Sequence, residues 1–201
     1  MPTKTDRETL AAIRRLGVVR PGDLEARGIP RGRIYRLLRL GLVERKARGL
    51  YVASDHDPTA EHALAQVAKK VPKGVICLLS ALQHHELTTQ LPHEVWVAIS
   101  EKARRPRIEY PPLRVVRFSG PALTQGVETH KIEGVPVRIT SVAKTLADCF
   151  KYRNKIGLDV ALEAMREAWR ERKVTMDEID RFARICRVER VMRPYLETLV
   201  A

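Results

Sequence analysis

Apolar positions along the chain switch between a helical and a strand period, and the switches mark out the elements. Between residues 30 and 40, Ile34, Leu37 and Leu38 fall at i, i+3 and i+4, while Arg31, Tyr35, Arg36 and Arg39 occupy the outward arc. That spacing predicts an amphipathic helix with one packed and one charged face. Pro30 suits its first turn, and Gly41 suits the position just past its end, where positive φ is needed. Upstream, Leu10, Ile13 and Leu16 mark the inner face of a helix that Asp6 is placed to cap and that ends near Leu16 or Gly17. A short helix is predicted from Pro21 to about Arg27, with Gly28 as the tight turn into the arginine helix. Residues 42–43 and 49–52 read as strands, with Glu44, Arg45, Lys46, Ala47 and Arg48 as the tip between them. Helix, turn, helix and basic hairpin, in that order, are the pattern of a winged helix-turn-helix, whose second helix enters the major groove of DNA.

A polar break with a proline, ASDHDP at 53–58, divides the chain into expected domains 1–54 and 59–201. Beyond it, 59–71 has helical composition with Ala60, Ala63, Leu64, Val67 and Ala68 apolar, and 80–87 reads as a helix opened by a capping serine. Strands are predicted at 94–99, 113–118, 126–132 and 135–139, forming a small sheet. From Ser141 onward the pattern is helical: 141–152, 158–171, 175–186 and a stretch ending near Val200. Thr175 and Glu178 have the spacing of a capping box, and Leu158, Leu162, Met165 and Trp169 form one stripe, read as core. The expected fold class is α+β, an N-terminal winged helix-turn-helix followed by a mixed domain with a small β-sheet and a C-terminal helical bundle.

Charge sharpens this picture. The formal net charge is +13, and it is uneven: 13 basic against 6 acidic residues in 1–55, 3 against 4 in 56–100, and 6 against 2 in 101–120. In 121–201 the count is 15 against 12, so the excess is concentrated in the winged helix and one middle segment, as in the footprint of a polyanion contact. In 1–55 arginine outnumbers lysine 11 to 2, and the guanidinium fork suits both phosphate and the O6/N7 edge of guanine. Arg31, Arg33 and Arg36 are therefore the candidates for base edges, with Tyr35 as a phosphate or base contact. Arg39, Lys46 and Arg48 are the candidates for backbone contact. Lys102, Arg104, Arg105, Arg107, Arg114 and Arg117, interrupted by Pro106, Pro111 and Pro112, are a candidate second anionic or partner contact.

Other chemistry is poorly supported. Cys77, Cys149 and Cys186 are widely spaced in apolar surroundings and read as reduced core residues. The N-terminal residues have no apolar signal core, and the longest apolar run, 75–79, is too short to span a bilayer, so neither export nor membrane spanning is expected. His84 and His85 would point about 100° apart on a helix, which argues against a shared metal ion. Glu44 and Lys46 form the E-x-K of some nucleases only by chance spacing, and Lys144 and Asp148 at i, i+4 read as a surface pair. No cofactor and no catalysis are expected.

Three stretches carry a resemblance: GIPRGRIYRLLRLGLVERKARGLYVAS, SALQHHELTTQLPHEVWVAIS and KIEGVPVRITSVAKTLADCFKYRNKIGLDVALEAMREAW. In this order they resemble the AbiEi-type antitoxins of type IV toxin–antitoxin systems, over nearly the full chain. The resemblance implies a cytoplasmic protein that binds operator DNA, in some members as inverted repeats, and represses its own operon. It also implies a C-terminal domain that counters a nucleotidyltransferase-like toxin. The family's winged-helix contacts carry over onto Arg31, Arg33, Arg36, Lys46 and Arg48, whereas no short motif carries over for antitoxicity. Two other readings stand beside it: a repressor with a ligand-sensing C-terminal domain, and a nuclease-associated defence protein targeted by its winged helix.

Overall fold

In a computed structural model, which describes residues 3–55, 61–90 and 92–200, helix α1 (Lys4–Leu16) begins at Thr3 rather than at Asp6. Thr3 Oγ1 accepts from the Asp6 N–H at 3.2 Å, and the Asp6 carboxylate accepts from the Thr3 N–H at 2.8 Å, which closes a capping box. Asp6 is thus the third residue of the first turn, fully buried, instead of the cap. Helix α2 (Pro21–Glu25) stops short of Arg27 because the N–H groups of Arg27 and Gly28 bond the carbonyls three residues back and tighten the chain into a turn. Helix α3 (Gly32–Arg39) starts after Pro30, whose carbonyl accepts from the Arg33 N–H at 2.9 Å. Ile34 and Leu37 are fully buried against Leu10, Ile13, Leu24 and Val43, each such side chain contributing roughly 1.5–3 kcal/mol.

The hairpin is longer than its sequence suggests. Strands β1 (Val43–Ala47) and β2 (Leu50–Ala53) pair antiparallel with Glu44 opposite Val52, Arg45 opposite Tyr51 and Ala47 opposite Leu50. Glu44, Arg45 and Lys46, expected in the tip, are strand residues, and Lys46 is the extra residue of a bulge. Their run of exposed charge hid the strand period. The tip narrows to Arg48 and Gly49, the latter at φ +75°. Val19 adds a bridge to Tyr51 through two 2.9 Å backbone bonds, an element too short to read from the sequence.

The chain divides into two compact units, Met1–Pro72 with Lys131–Val137, and Lys73–His130 with Arg138–Ala201. Residues 56–60, which hold much of the ASDHDP break and the expected helix start at Thr59, lie outside the described residues. Helix α4 (His62–Lys70) follows, with Lys69 paired to Asp23 and His62 Nδ1 at 2.7 Å from Glu133 Oε2. Gly17 admits this part of the chain closely, since a Cβ built there would stand 1.8 Å from the Glu133 carbonyl oxygen. Hence α4 and residues 131–137 group with the first unit, whereas the sequence expectation sets them in a domain of 59–201.

The second unit is built on a five-stranded sheet. Its elements are β3 (Val75–Ile76), α5 (Leu78–His84), β4 (Val95–Ser100), β5 (Leu113–Phe118), α6 (Pro121–Thr124), β6 (Val127–Ile132) and β7 (Val135–Thr140), of which the end of β6 and the start of β7 fall within the 131–137 stretch grouped with the first unit. The strand order is β5-β4-β3-β7-β6, with β4 and β5 parallel from Val95–Leu113 to Ser100–Phe118 and β5 at the edge. Ser80, expected to cap α5, lies inside the helix, where its Oγ accepts from the Trp96 N–H at 3.0 Å. Helices α7 (Val142–Lys151), α8 (Arg153–Ile156), α9 (Leu158–Arg170), α10 (Met176–Cys186) and α11 (Glu189–Val200) complete the chain. The Thr175–Glu178 capping box forms as the spacing predicts. With 50% of the described residues helical and 19% in strands, the class is α+β.

Two expectations are corrected in this core. On α9 the buried face is Val160, Ala161, Ala164, Met165 and Ala168, while Leu158, Leu162 and Trp169 sit half-buried at its margin. The alanines line the buried face of α9, and Leu158 and Leu162 pack against the same core from its edge. Lys144 and Asp148 are not a surface pair, because both are buried. Lys144 Nζ donates to Asp148 Oδ2 and lies 4.6 Å from the centroid of the Phe118 ring; Cys186 Sγ donates to the other carboxylate oxygen at 3.3 Å. Burial pushes the Asp148 carboxyl up, and Lys144 opposes that push. Lys144→Met, which leaves the carboxylate alone in the core, is expected to cost about 3–5 kcal/mol in urea denaturation, and adding Asp148→Leu is expected to recover much of it. A single-variant loss below about 1 kcal/mol would contradict a buried pair.

Candidate nucleic-acid interface

Helix α3 turns about 100° per residue, which sorts its side chains into three groups. Ile34 and Leu37 face inward. Arg31, Tyr35 and Arg39 follow one another four apart along an exposed strip, beside Gly32, where a Cβ would meet nothing within 4 Å. Among the described residues, no carboxylate pairs with Arg31 or Arg39. Arg33 and Arg36 form the third group, and both point to the buried Asp6. Arg36 Nε donates to the two Asp6 oxygens at 3.0 and 3.2 Å, and Arg33 Nη1 lies 3.5 Å from Oδ1. The Thr3 backbone and hydroxyl donors, helped by Arg36, hold the Asp6 carboxyl down to about 2 against its burial. Arg36 still exposes 43% of its side chain, so it can brace α3 and meet a phosphate at once.

Tyr35 is 41% exposed, and its ring meets Tyr51 edge-on with centroids 6.2 Å apart. On the hairpin, Lys46 is 2.6 Å from Glu44, while Arg48 is exposed at the tip. Arg45, omitted from the expected contacts, stands opposite Tyr51 in the ladder. Only the strand register, invisible in a charged run, reveals that placement.

The six basic residues of the middle segment do not form one group. Lys102, Arg104, Arg105 and Arg107 are exposed in the connection from β4 to β5. Arg114 lies over Trp96 at 5.5 Å and 3.9 Å from Glu94, and Arg117 donates through Nη1 to the carbonyls of Ser100, Glu101 and Ala103. The last two are therefore engaged by the fold.

The histidines meet in a way the sequence does not suggest. His84 and His85 have ring centroids 5.1 Å apart, and His130 from β6 lies 4.5 Å from His84. His85 Nε2 is 2.7 Å from the Thr140 carbonyl, an acceptor only, so Nε2 carries the proton and donates. Burial, with His84 and His130 nearby, lowers the His85 pKa. Among the described residues, no group of three or more His, Cys, Asp or Glu side chains is arranged to hold a metal ion. No described helix is long and apolar enough to cross a membrane.

A buried three-helix core, an arginine-bearing third helix and a hairpin with a glycine tip define a winged helix-turn-helix. Residues 6–54 match the family described as "Transcriptional regulator, AbiEi antitoxin", which supports a role as a DNA-binding regulator. The fold is similar to the crystal structure of the RV2827C protein from Mycobacterium tuberculosis, with a TM-score of 0.60 and 14% identity over 91% of this chain and 72% of that one. At that identity the likeness is one of fold. No curated protein matches the sequence.

Two outcomes follow from the geometry. Asp6→Asn removes a carboxylate that is ionised in the folded state and easier to protonate in the unfolded chain. Its stabilisation is present above about pH 4 and is lost as pH falls towards 2, so the variant is expected to be less stable at neutral pH and to show a flatter acid limb in thermal melts. His85 shifts in the same direction but in a higher pH range. Below about pH 6.5 the unfolded chain takes up a proton there that the folded chain resists, so stability declines as pH falls. His85→Gln is expected to lose less stability than the wild type between about pH 7.5 and 5.5; equal losses would sink the assignment.

Proposed function

We propose that this protein is an operator-binding antitoxin of a type IV toxin–antitoxin system. Its N-terminal module, spanning 1–54, represses its own operon, and its remaining part counters a nucleotidyltransferase-like toxin. The observation that carries the DNA-binding half is the exposed strip of Arg31, Tyr35 and Arg39 on α3, backed by two arginines that hold the helix in place through Asp6. Arg31 and Tyr35 read base edges near the helix start, Arg33 and Arg36 reinforce them, and Arg39, Lys46 and Arg48 hold phosphates. The antitoxin half rests on the family match at 6–54 and on the three-part resemblance of the sequence. It is a binding function, and the residues assigned to it perform no chemistry.

Fluorescence anisotropy with DNA from upstream of the gene and with a scrambled duplex, across a salt series, tests the first half. The native duplex is expected to bind more tightly. Arg31→Ala with Arg39→Ala is expected to abolish that preference and to lower the salt slope by about 0.9 for each phosphate no longer neutralised. Equal binding to both duplexes would reject sequence-specific repression. For the second half, co-expression with the neighbouring toxin gene is expected to restore growth, both for the wild type and for the variant that no longer prefers the operator. Failure of both would leave a stand-alone regulator.

A further inference from the structure

The loop of residues 101–112, between β4 and the edge strand β5, combines three features that the operator-binding reading does not use. It presents four cations, Lys102, Arg104, Arg105 and Arg107, all exposed and, among the described residues, with no carboxylate paired to them. It carries Tyr110, whose 61% exposure is the largest among the exposed large hydrophobic residues. It is also held in shape. Arg117 grips its first turn through the carbonyls of Ser100, Glu101 and Ala103 at 3.2, 2.6 and 2.9 Å, and Pro106, Pro111 and Pro112 fix φ along the rest. A braced loop gives up little conformational entropy when a ligand docks.

We propose that this loop is a single-stranded nucleic-acid site of the second unit, separate from the duplex contact of α3. Lys102, Arg104, Arg105 and Arg107 follow the sugar–phosphate backbone, and the Tyr110 ring stacks on an unpaired base. The aromatic ring selects among polyanions. Base faces are covered in a duplex, so an exposed tyrosine gains nothing from stacking there, and an acidic polypeptide has no flat ring to offer it. A single strand presents phosphate and base face together, which is the combination this loop matches. Two acidic residues, Glu101 and Glu109, flank the cations, and the balance of the segment remains basic at 6 to 2 over 101–120.

The test uses the full chain carrying Arg31→Ala and Arg39→Ala, so that the α3 surface contributes little. The probes are labelled oligothymidylate and oligouridylate of about 16 nucleotides, with a duplex of the same length, over a salt series. Arg104→Ser, Arg105→Ser and Arg107→Ser together are expected to weaken single-strand binding at least about tenfold and to lower its salt slope by about 0.7 for each phosphate no longer neutralised. Tyr110→Ser alone is expected to weaken it at least about fivefold with the salt slope unchanged, and Tyr110→Phe to retain binding. The loop is exposed, so unchanged thermal melts verify that each variant folds. Single-strand binding that survives the triple variant overturns the proposal. So does a neutral Tyr110→Ser combined with displacement of the oligonucleotide by polyglutamate, which would assign the loop to an acidic protein instead. Equal loss of duplex and single-strand binding, with Tyr110 neutral, would reduce it to a general polyanion contact. Failure of the operator experiment would leave this result untouched, because it reads a different unit.

Discussion

A carboxylate that water does not reach must find its donors within the protein, and Asp6 finds them on two helices. Thr3 supplies an N–H and a hydroxyl from the start of α1, and Arg36 supplies its Nε from the middle of α3. The apolar contacts of Leu10 and Ile13 with Ile34 and Leu37 bring the two helices together but do not set their rotation, since apolar packing is weakly directional. The carboxylate does set it. A shift of α3 by one residue would swing Arg36 away and leave the Asp6 carboxylate with its Thr3 donors alone. The outward strip of Arg31, Tyr35 and Arg39 is thus held at a fixed angle by a bond made on the far side of the same helix.

The second unit uses a different device. Helix α7 places Lys144 and Asp148 one turn apart inside an apolar core, with Phe118 beneath the ammonium and Cys186 on the carboxylate. Neighbouring elements come close because small residues allow it: Ala161, Ala164 and Ala168 on α9, and Gly126, where a Cβ would stand 2.6 Å from the Phe182 ring and 2.8 Å from Lys144 Cβ.

Local signals in the sequence reveal local structure well. The i, i+3, i+4 spacing locates α3, Thr175 and Glu178 locate the start of α10, and apolar runs locate β4 and β5. What stays hidden depends on partners distant in the chain. Asp6 looks like a cap because nothing nearby announces that Arg36 will bury it, and Lys144 and Asp148 look like a surface pair because most i, i+4 charges are. The strand character of Glu44, Arg45 and Lys46 is erased by their charge. The grouping of residues 131–137 with the first unit rests on the backbone of Glu133 meeting Gly17, which no composition rule reports. For the site, residue types and elements were legible, but the division between arginines that brace and arginines left open was not.

That division has a physical logic common to both basic regions. A guanidinium bonded to a carboxylate or to several carbonyls is fixed in direction, and its neighbours inherit that order; one facing only water samples many rotamers and loses about 2 kcal/mol of side-chain freedom on binding. In the first unit Arg36, on Asp6, is the fixed member, and Arg31 and Arg39 are the open ones. In the second unit Arg117, on three carbonyls, is the fixed member, and Arg104, Arg105 and Arg107 are the open ones. Fixing the backbone that carries the open arginines lowers the ordering cost without using up their charge. A net charge of +13 spread evenly would give salt-sensitive adhesion to any polyanion, whereas charge mounted on a braced helix and a braced loop presents donors at set spacings. Discrimination between one anionic ligand and another therefore depends as much on the arginines that never reach it as on those that do.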